Sequence, residues 1–146
     1  MSLPPLWLSL LLSAVPFFEG RYAIPVAILW GLSPPSAYLL CTSVNLAVIP
    51  AVMLLMEKVV PPLRRRWGWV DGFFRFMIRR KLRKRHFAAL FTFVALPLPG
   101  TGAYTGTVLA FMLGMKGWRS MATVALGVLT ANALTALAAT GLSLWL

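Results

Sequence analysis

Two proline-bearing segments decide the fold: AVPFFEGRYAIP over residues 14–25 and ALPLPGTGAYTG over residues 95–106. Each interrupts a hydrophobic stretch. Each is followed by a short apolar stretch ending at a glycine, Gly31 or Gly114, and then by a longer hydrophobic run. Broken, half-length segments at corresponding positions of two halves indicate a transporter binding site at the membrane midplane. The chain is therefore predicted to be a transporter built from two repeats.

The composition excludes several other classes of protein. Of 146 residues, 60% are hydrophobic and 12% are charged, which is typical of one integral membrane unit and not of a soluble domain. The net charge is +11, but eleven of the fourteen Lys and Arg lie between Lys58 and Arg85. That clustering is typical of a cytoplasmic loop and not of a nucleic-acid-binding face. One cysteine, one histidine and three acidic residues predict no metal site, no cofactor and no catalytic triad.

Two runs, residues 36–56 and 121–146, are long enough to cross about 30 Å of hydrocarbon. Residues 3–32 and 87–115 are too interrupted to do so as regular helices, so each is either a broken crossing helix or a re-entrant hairpin. Lys116 and Arg119 follow the second interrupted segment, and the basic linker precedes it. Only the hairpin places both basic groups on the cytoplasmic side, so the positive-inside rule favours hairpins.

The predicted fold class is an all-α membrane protein of two inverted repeats, residues 1–58 and 87–146. Each repeat is a re-entrant hairpin followed by a transmembrane helix. Both termini are expected outside a prokaryotic inner membrane, and the linker, residues 59–86, inside. Hairpins this small bury little surface, so a homodimer is expected.

The linker is predicted to hold an amphipathic interfacial helix over residues 63–86, because aromatic and apolar residues recur there at spacings of three and four. The helix either anchors the topology or attracts anionic membrane lipid. Its candidate membrane-surface residues are Arg64, Arg65, Trp67, Arg75, Arg79, Arg80, Lys81 and Arg83.

Glu19 and Arg21 are the only charged residues among the first 56, and both lie in the first interrupted segment. A charge at the centre of a membrane helix costs roughly 2.5–3.5 kcal/mol, so it indicates function by default. The arginine fork suits a phosphate or carboxylate headgroup, and the carboxyl group suits a proton. The alternative is an ion pair that satisfies itself in a shallow external loop.

The second interrupted segment offers backbone amides from Gly100 to Ala103, just before a helix predicted to begin near Tyr104. A glycine-fed helix N-terminus can bind an anion. Two asparagines in the spanning helices either hydrogen-bond between helices or line the pathway. The predicted substrate- or ion-binding set is Glu19, Arg21, Pro25, Asn45, Pro97, Pro99, Gly100, Thr101, Gly102, Tyr104, Thr105 and Asn132.

Residues 16–25 and 95–106 resemble the two signature segments of the prokaryotic family of putative small multidrug export proteins. That resemblance implies kinship with the DedA superfamily, whose members have two opposed re-entrant hairpins and include candidate undecaprenyl-phosphate and other lipid translocases. Carried over by position, the charged pair of the first signature is Glu19 and Arg21. The proline–glycine turn of the second falls on Pro97, Pro99, Gly100 and Gly102.

Together, the residues and the resemblance predict a transporter or translocase of an anionic amphiphile, such as a polyprenyl phosphate, with Glu19 as the candidate site of proton coupling. One alternative is an exporter of cationic or neutral drugs, with Glu19 as the counter-charge. The other is a scaffold that transports nothing and acts through the basic helix.

Overall fold

The computed structural model describes residues 4–16, 18–78, 84–98, 100–115 and 117–143, and all regular structure in these ranges is helical. Five members of the predicted surface and site sets lie outside the described residues: Arg79, Arg80, Lys81, Arg83 and Pro99. The helices are α1 (Pro4–Ala14), α2 (Glu19–Leu29), α3 (Pro34–Arg66), α4 (Gly68–Ile78), α5 (Lys84–Ala95), α6 (Ala103–Met112) and α7 (Trp118–Ser143). The predicted all-helical class is confirmed.

The same order of elements occurs twice: two short helices followed by a long one, first α1–α3 and then α5–α7. The second short helix of each triplet ends in the same way. Gly31 and Gly114 have φ of 92° and 72°, a left-handed conformation that glycine adopts without steric cost. The following amides of Leu32 and Met115 bond back to Ala27 O (3.0 Å) and Ala110 O (2.9 Å), which is the Schellman arrangement.

Among the described residues, two helices are long and apolar enough to cross a membrane, Pro34–Arg66 and Trp118–Leu142. They correspond to the two predicted spans, although each begins earlier than predicted. Pro34 and Pro35 start α3, where the missing proline amide would have had no helical partner anyway. Pro50 lies inside α3 without ending it.

The linker does not form the single helix that the sequence predicts over residues 63–86. Instead, α3 continues to Arg66, Trp67 is extended (φ −126°, ψ 104°), and α4 begins at Gly68. Arg64, Arg65 and Arg66 occupy the last turn of α3, where positive charge stabilises the carbonyl end of a helix. The basic stretch is therefore divided among three helices.

Close packing in the second triplet centres on Val94, which is fully buried on α5. Its side chain fills the space left by two glycines: a Cβ at Gly106 would lie 2.5 Å from Val94 Cγ2, and one at Gly127 would lie 2.7 Å from Val94 Cβ. Small residues allow membrane helices to approach this closely. α5 is thus held against both α6 and α7 at the point where it ends.

We expect Gly127→Ala to destabilise the protein by about 1–3 kcal/mol, because the added methyl has to displace a branched side chain in a packed core. Gly141→Ala, on the same helix with no atom within 4 Å of the added carbon, is the matched control and should be neutral or stabilising. Thermal unfolding in detergent measures both. Equal melting temperatures for the two variants would contradict this packing.

Candidate functional site

The two chain breaks, between α1 and α2 and between α5 and α6, contact each other directly. The hydroxyl of Tyr104, on the first turn of α6, donates to the carbonyl of Ala14 at the end of α1. Glu19 and Arg21, at the start of α2, both reach across to the second break. The two interrupted segments that the sequence marks in separate halves of the chain therefore lie together in the structure.

The Glu19 carboxylate occupies the N-terminus of α6. Its Oε2 accepts from the Ala103 amide (3.0 Å) and its Oε1 accepts from the Tyr104 amide (3.2 Å). Amides at a helix N-terminus have no helical partner and carry positive potential, so a carboxylate is a favourable occupant. Glu19 itself has φ of 47°, the only described residue other than glycine with positive φ, and only 6% of it is exposed.

Gly102 is required by this contact and not by its own backbone angle. A Cβ built on Gly102 would overlap the carboxylate oxygens of Glu19. The glycine therefore lets the carboxylate lie directly against the start of α6. The predicted anion site is the set of amides from Gly100 to Ala103. In the structure the amides of Ala103 and Tyr104 bond an anionic group of the same chain, the Glu19 carboxylate.

The Arg21 guanidinium satisfies the other side of the second break. Its Nη2 donates to Val94 O (2.6 Å) and Thr101 O (3.0 Å), and its Nη1 donates to Leu98 O (2.5 Å) and to the Thr101 hydroxyl. Val94 lies in the last turn of α5, whose carbonyl end attracts a cation. Arg21 is 8% exposed, so these bonds form away from water.

Glu19 and Arg21 are not paired with each other, since the ion pairs of the described residues do not include them. This differs from the alternative of a self-satisfied ion pair in a shallow external loop. The carboxylate binds amides and the guanidinium binds carbonyls, both of them in the other half of the chain. The first break supplies the charges that the second break lacks.

Two asparagines hold the turn between these charges. With its amide oriented to satisfy both partners, Asn45 accepts from the Gly20 amide (2.9 Å) and donates to Ser13 O (2.9 Å). Asn132 lies against Gly20 as well and donates to the Thr42 hydroxyl (3.0 Å). Both asparagines are 1% exposed, and they link α7, α3 and the first break.

The remaining predicted site residues lie around this contact. Gly100 is half-buried with φ of 80°, and Pro97 and Thr105 are exposed. Pro25 lies one turn beyond Arg21 in a cleft between α2 and α7, which we call the α2–α7 groove. Its volume is about 260 Å³, and its lining is almost entirely apolar: Pro25, Ile28, Leu29, Thr135, Ala138, Ala139 and Leu142.

Sequence reasoning missed the backbone partners of Arg21, namely the carbonyls of Val94, Leu98 and Thr101. The prolines at 97 and 99 do indicate that a helix ends nearby, so the carbonyls of its last turn lack helical partners. That signal could have identified the Val94 carbonyl. Within the described ranges, no three His, Cys, Asp or Glu side chains group closely enough to hold a metal ion.

The fold and this site define an all-helical membrane protein in which two interrupted helical segments cap one another. The chain matches the sequence profile of the family described as "putative small multi-drug export protein" over residues 19–134, most of its length, and it belongs to that family. The match begins at Glu19 and spans the second break and Asn132. Membership fits a membrane transporter. No curated protein and no solved structure matches the chain.

The contact between Glu19 and Gly102 can be tested with a double-mutant cycle. We expect Gly102→Ala to cost about 2–3 kcal/mol of stability, because the methyl forces a buried carboxylate off its two amides. In a Glu19→Ala background the clash is gone, and the same substitution should cost less than about 0.5 kcal/mol. Denaturant unfolding in lipid bicelles measures each variant. An equal cost in both backgrounds would refute the contact.

Proposed function

We propose that this protein moves an anionic amphiphile across the membrane, with the binding site where the two breaks meet. The observation that carries the proposal is the buried contact of Glu19 with the α6 amides beside the Arg21 guanidinium. The chain itself supplies the anion in this contact. A phosphate or carboxylate headgroup offers the same chemistry and can take its place.

The α2–α7 groove favours an amphiphile over a small ion as the substrate. It begins at Pro25, one helical turn from Arg21, and its walls are apolar side chains. A hydrocarbon or prenyl tail can lie there while the headgroup occupies the break. A polyprenyl phosphate meets this description, and so do other lipids with a single anionic head.

The proposed exchange begins with Glu19. Protonation removes the negative charge that the helix N-terminus stabilises, so the carboxyl group leaves and the two amides donate to the substrate oxyanion instead. Arg21 contributes its positive charge from the start. All of its N–H donors become available to the substrate only when it releases the Val94 and Leu98 carbonyls, and that release separates the two breaks. Substrate binding is thereby coupled to opening.

The proposed topology is that of two inverted re-entrant hairpins. α1 and α2 each have eleven residues, about 16 Å at 1.5 Å per residue, which is half of a 30 Å hydrocarbon core. α5 and α6 have twelve and ten residues. Helices of this length reach the midplane and return. We place the basic linker inside the cell, both termini outside the inner membrane, and a second copy beside the first.

Export of cationic or neutral small molecules is the second candidate, and the family description favours it. The α2–α7 groove is apolar enough for a drug-like molecule, and Glu19 would be the counter-charge. Cation transport that survives loss of Arg21 and fails on loss of Glu19 would support this candidate over the first.

Proton coupling is tested by Glu19→Gln, which keeps an oxygen acceptor but cannot ionise. We expect transport of a fluorescent polyprenyl phosphate into proteoliposomes to lose its pH dependence, because the exchange starts from protonation of this group and a glutamine is neutral at every pH. Glu57→Gln, on an exposed position of α3, is the control. A wild-type rate at every pH in Glu19→Gln would eliminate the coupling role.

The role of Arg21 is tested by Arg21→Lys. A lysine keeps the charge but cannot span acceptors on three residues at once, so we expect binding of the anionic amphiphile to weaken about tenfold or more. Arg119→Lys, at an exposed position on α7, is the matched control. Binding is measured with a fluorescent substrate in nanodiscs. Unchanged affinity in Arg21→Lys would remove the arginine from the site.

A further inference from the structure

A second cavity lies where α3, α4 and α6 meet, well separated along α6 from the Glu19 contact. Its volume is about 400 Å³, and among the residues that line it are Val60, Arg64, Arg65, Asp71, Arg75 and Phe111. We call it the basic corner. None of these residues takes part in the contact between the breaks.

The charges of the basic corner do not balance. Asp71 accepts from Arg64 Nε (2.8 Å) and Nη2 (2.5 Å), and its other oxygen accepts from Arg75 Nε (2.6 Å). The pKa of Asp71 lies below its usual range, mainly because Arg64 donates a hydrogen bond to it, so this carboxylate is ionised at neutral pH. One carboxylate cannot neutralise three guanidinium groups, and the cavity keeps an excess of positive charge.

The rest of the lining is apolar, and the surroundings are those of a membrane interface. Val60 and Phe111 are 7% and 3% exposed and form the inner wall of the cavity. Beside it, the rings of Trp67 and Trp69 stack with centroids 6.0 Å apart, and both rings are largely exposed. Exposed tryptophans are enriched at the headgroup level of bilayers. A ligand for this cavity therefore carries an anionic head and an apolar chain.

We propose that the basic corner binds the headgroup phosphate of an anionic membrane phospholipid. The arginine forks bind the phosphate oxygens, and an acyl chain lies along Val60 and Phe111. Asp71 competes with the lipid for Arg64 and Arg75, so it sets the affinity. Phe111 belongs to the last turn of α6, whose first turn binds Glu19, so a bound lipid would steady the helix that carries the transport site.

The experiment measures phosphatidylglycerol binding by native mass spectrometry of the full chain in detergent, with phosphatidylcholine as the neutral comparison. Arg65→Gln leaves the Asp71 bridges in place, and we expect it to weaken phosphatidylglycerol binding about fivefold, since one basic group near an anionic surface contributes about 1 kcal/mol. Asp71→Asn should strengthen binding by a similar factor. Arg119→Gln removes the same charge elsewhere on the surface and should have little effect.

Equal phosphatidylglycerol affinity in Arg65→Gln and Arg119→Gln would overturn the site, and so would weaker binding in Asp71→Asn with an unchanged melting temperature. Displacement of the lipid by millimolar inorganic phosphate would assign the cavity to free phosphate and refute the lipid. Phosphatidylglycerol also fits the description of the proposed transport substrate, so the comparison of Arg65→Gln with Arg119→Gln is repeated in an Arg21→Lys background. The fivefold loss in Arg65→Gln should persist there, which separates this site from the transport proposal.

Discussion

Mutual capping of two interrupted helices is the interaction on which this structure depends. A helix that stops inside a protein leaves carbonyls at one end and amides at the other without partners, and each unsatisfied buried group costs free energy. Here Arg21 binds the carbonyls that end α5, Glu19 binds the amides that begin α6, and Tyr104 donates to the end of α1. Because these bonds join residues more than seventy positions apart, satisfying the breaks also joins the two halves.

The side chains that hold the fold together, Glu19 and Arg21, are also the ones whose chemistry suits ligand binding. Glu19 is held at φ 47°, and Gly102 has no side chain because the carboxylate occupies that space. Backbone strain and close approach of this kind persist only when surrounding contacts over-determine them. A ligand shifts such a structure only through a difference in affinity between two states. In the proposed function, an anion that replaces the carboxylate has that difference, since it binds only the state in which Glu19 has left the two amides.

The sequence predicted those parts of the fold that local chemistry encodes. Prolines and glycines marked both breaks, Gly31 and Gly114 marked the helix ends, and hydropathy marked the two spans. It could not predict which groups come into contact, because no sequence pattern indicates that Arg21 binds the Val94 carbonyl. The same limit applies to the anion site, because glycine spacing does not say whether the anion is foreign or is Glu19. In the linker, the spacing of aromatics did not reveal that the arginine run prolongs α3 up to Trp67.

The distribution of charge between the breaks constrains how the halves can separate. Both ionised groups come from the first break, and the second contributes only backbone and hydroxyl groups. In the proposed function, an anionic substrate replaces Glu19 on the amides, but it cannot replace Arg21 on the Val94 and Leu98 carbonyls, which need donors. Glu19 therefore exchanges first in this proposal. Arg21 would follow only once water or substrate hydroxyls reach those carbonyls, so the halves would separate after the carboxylate has been replaced.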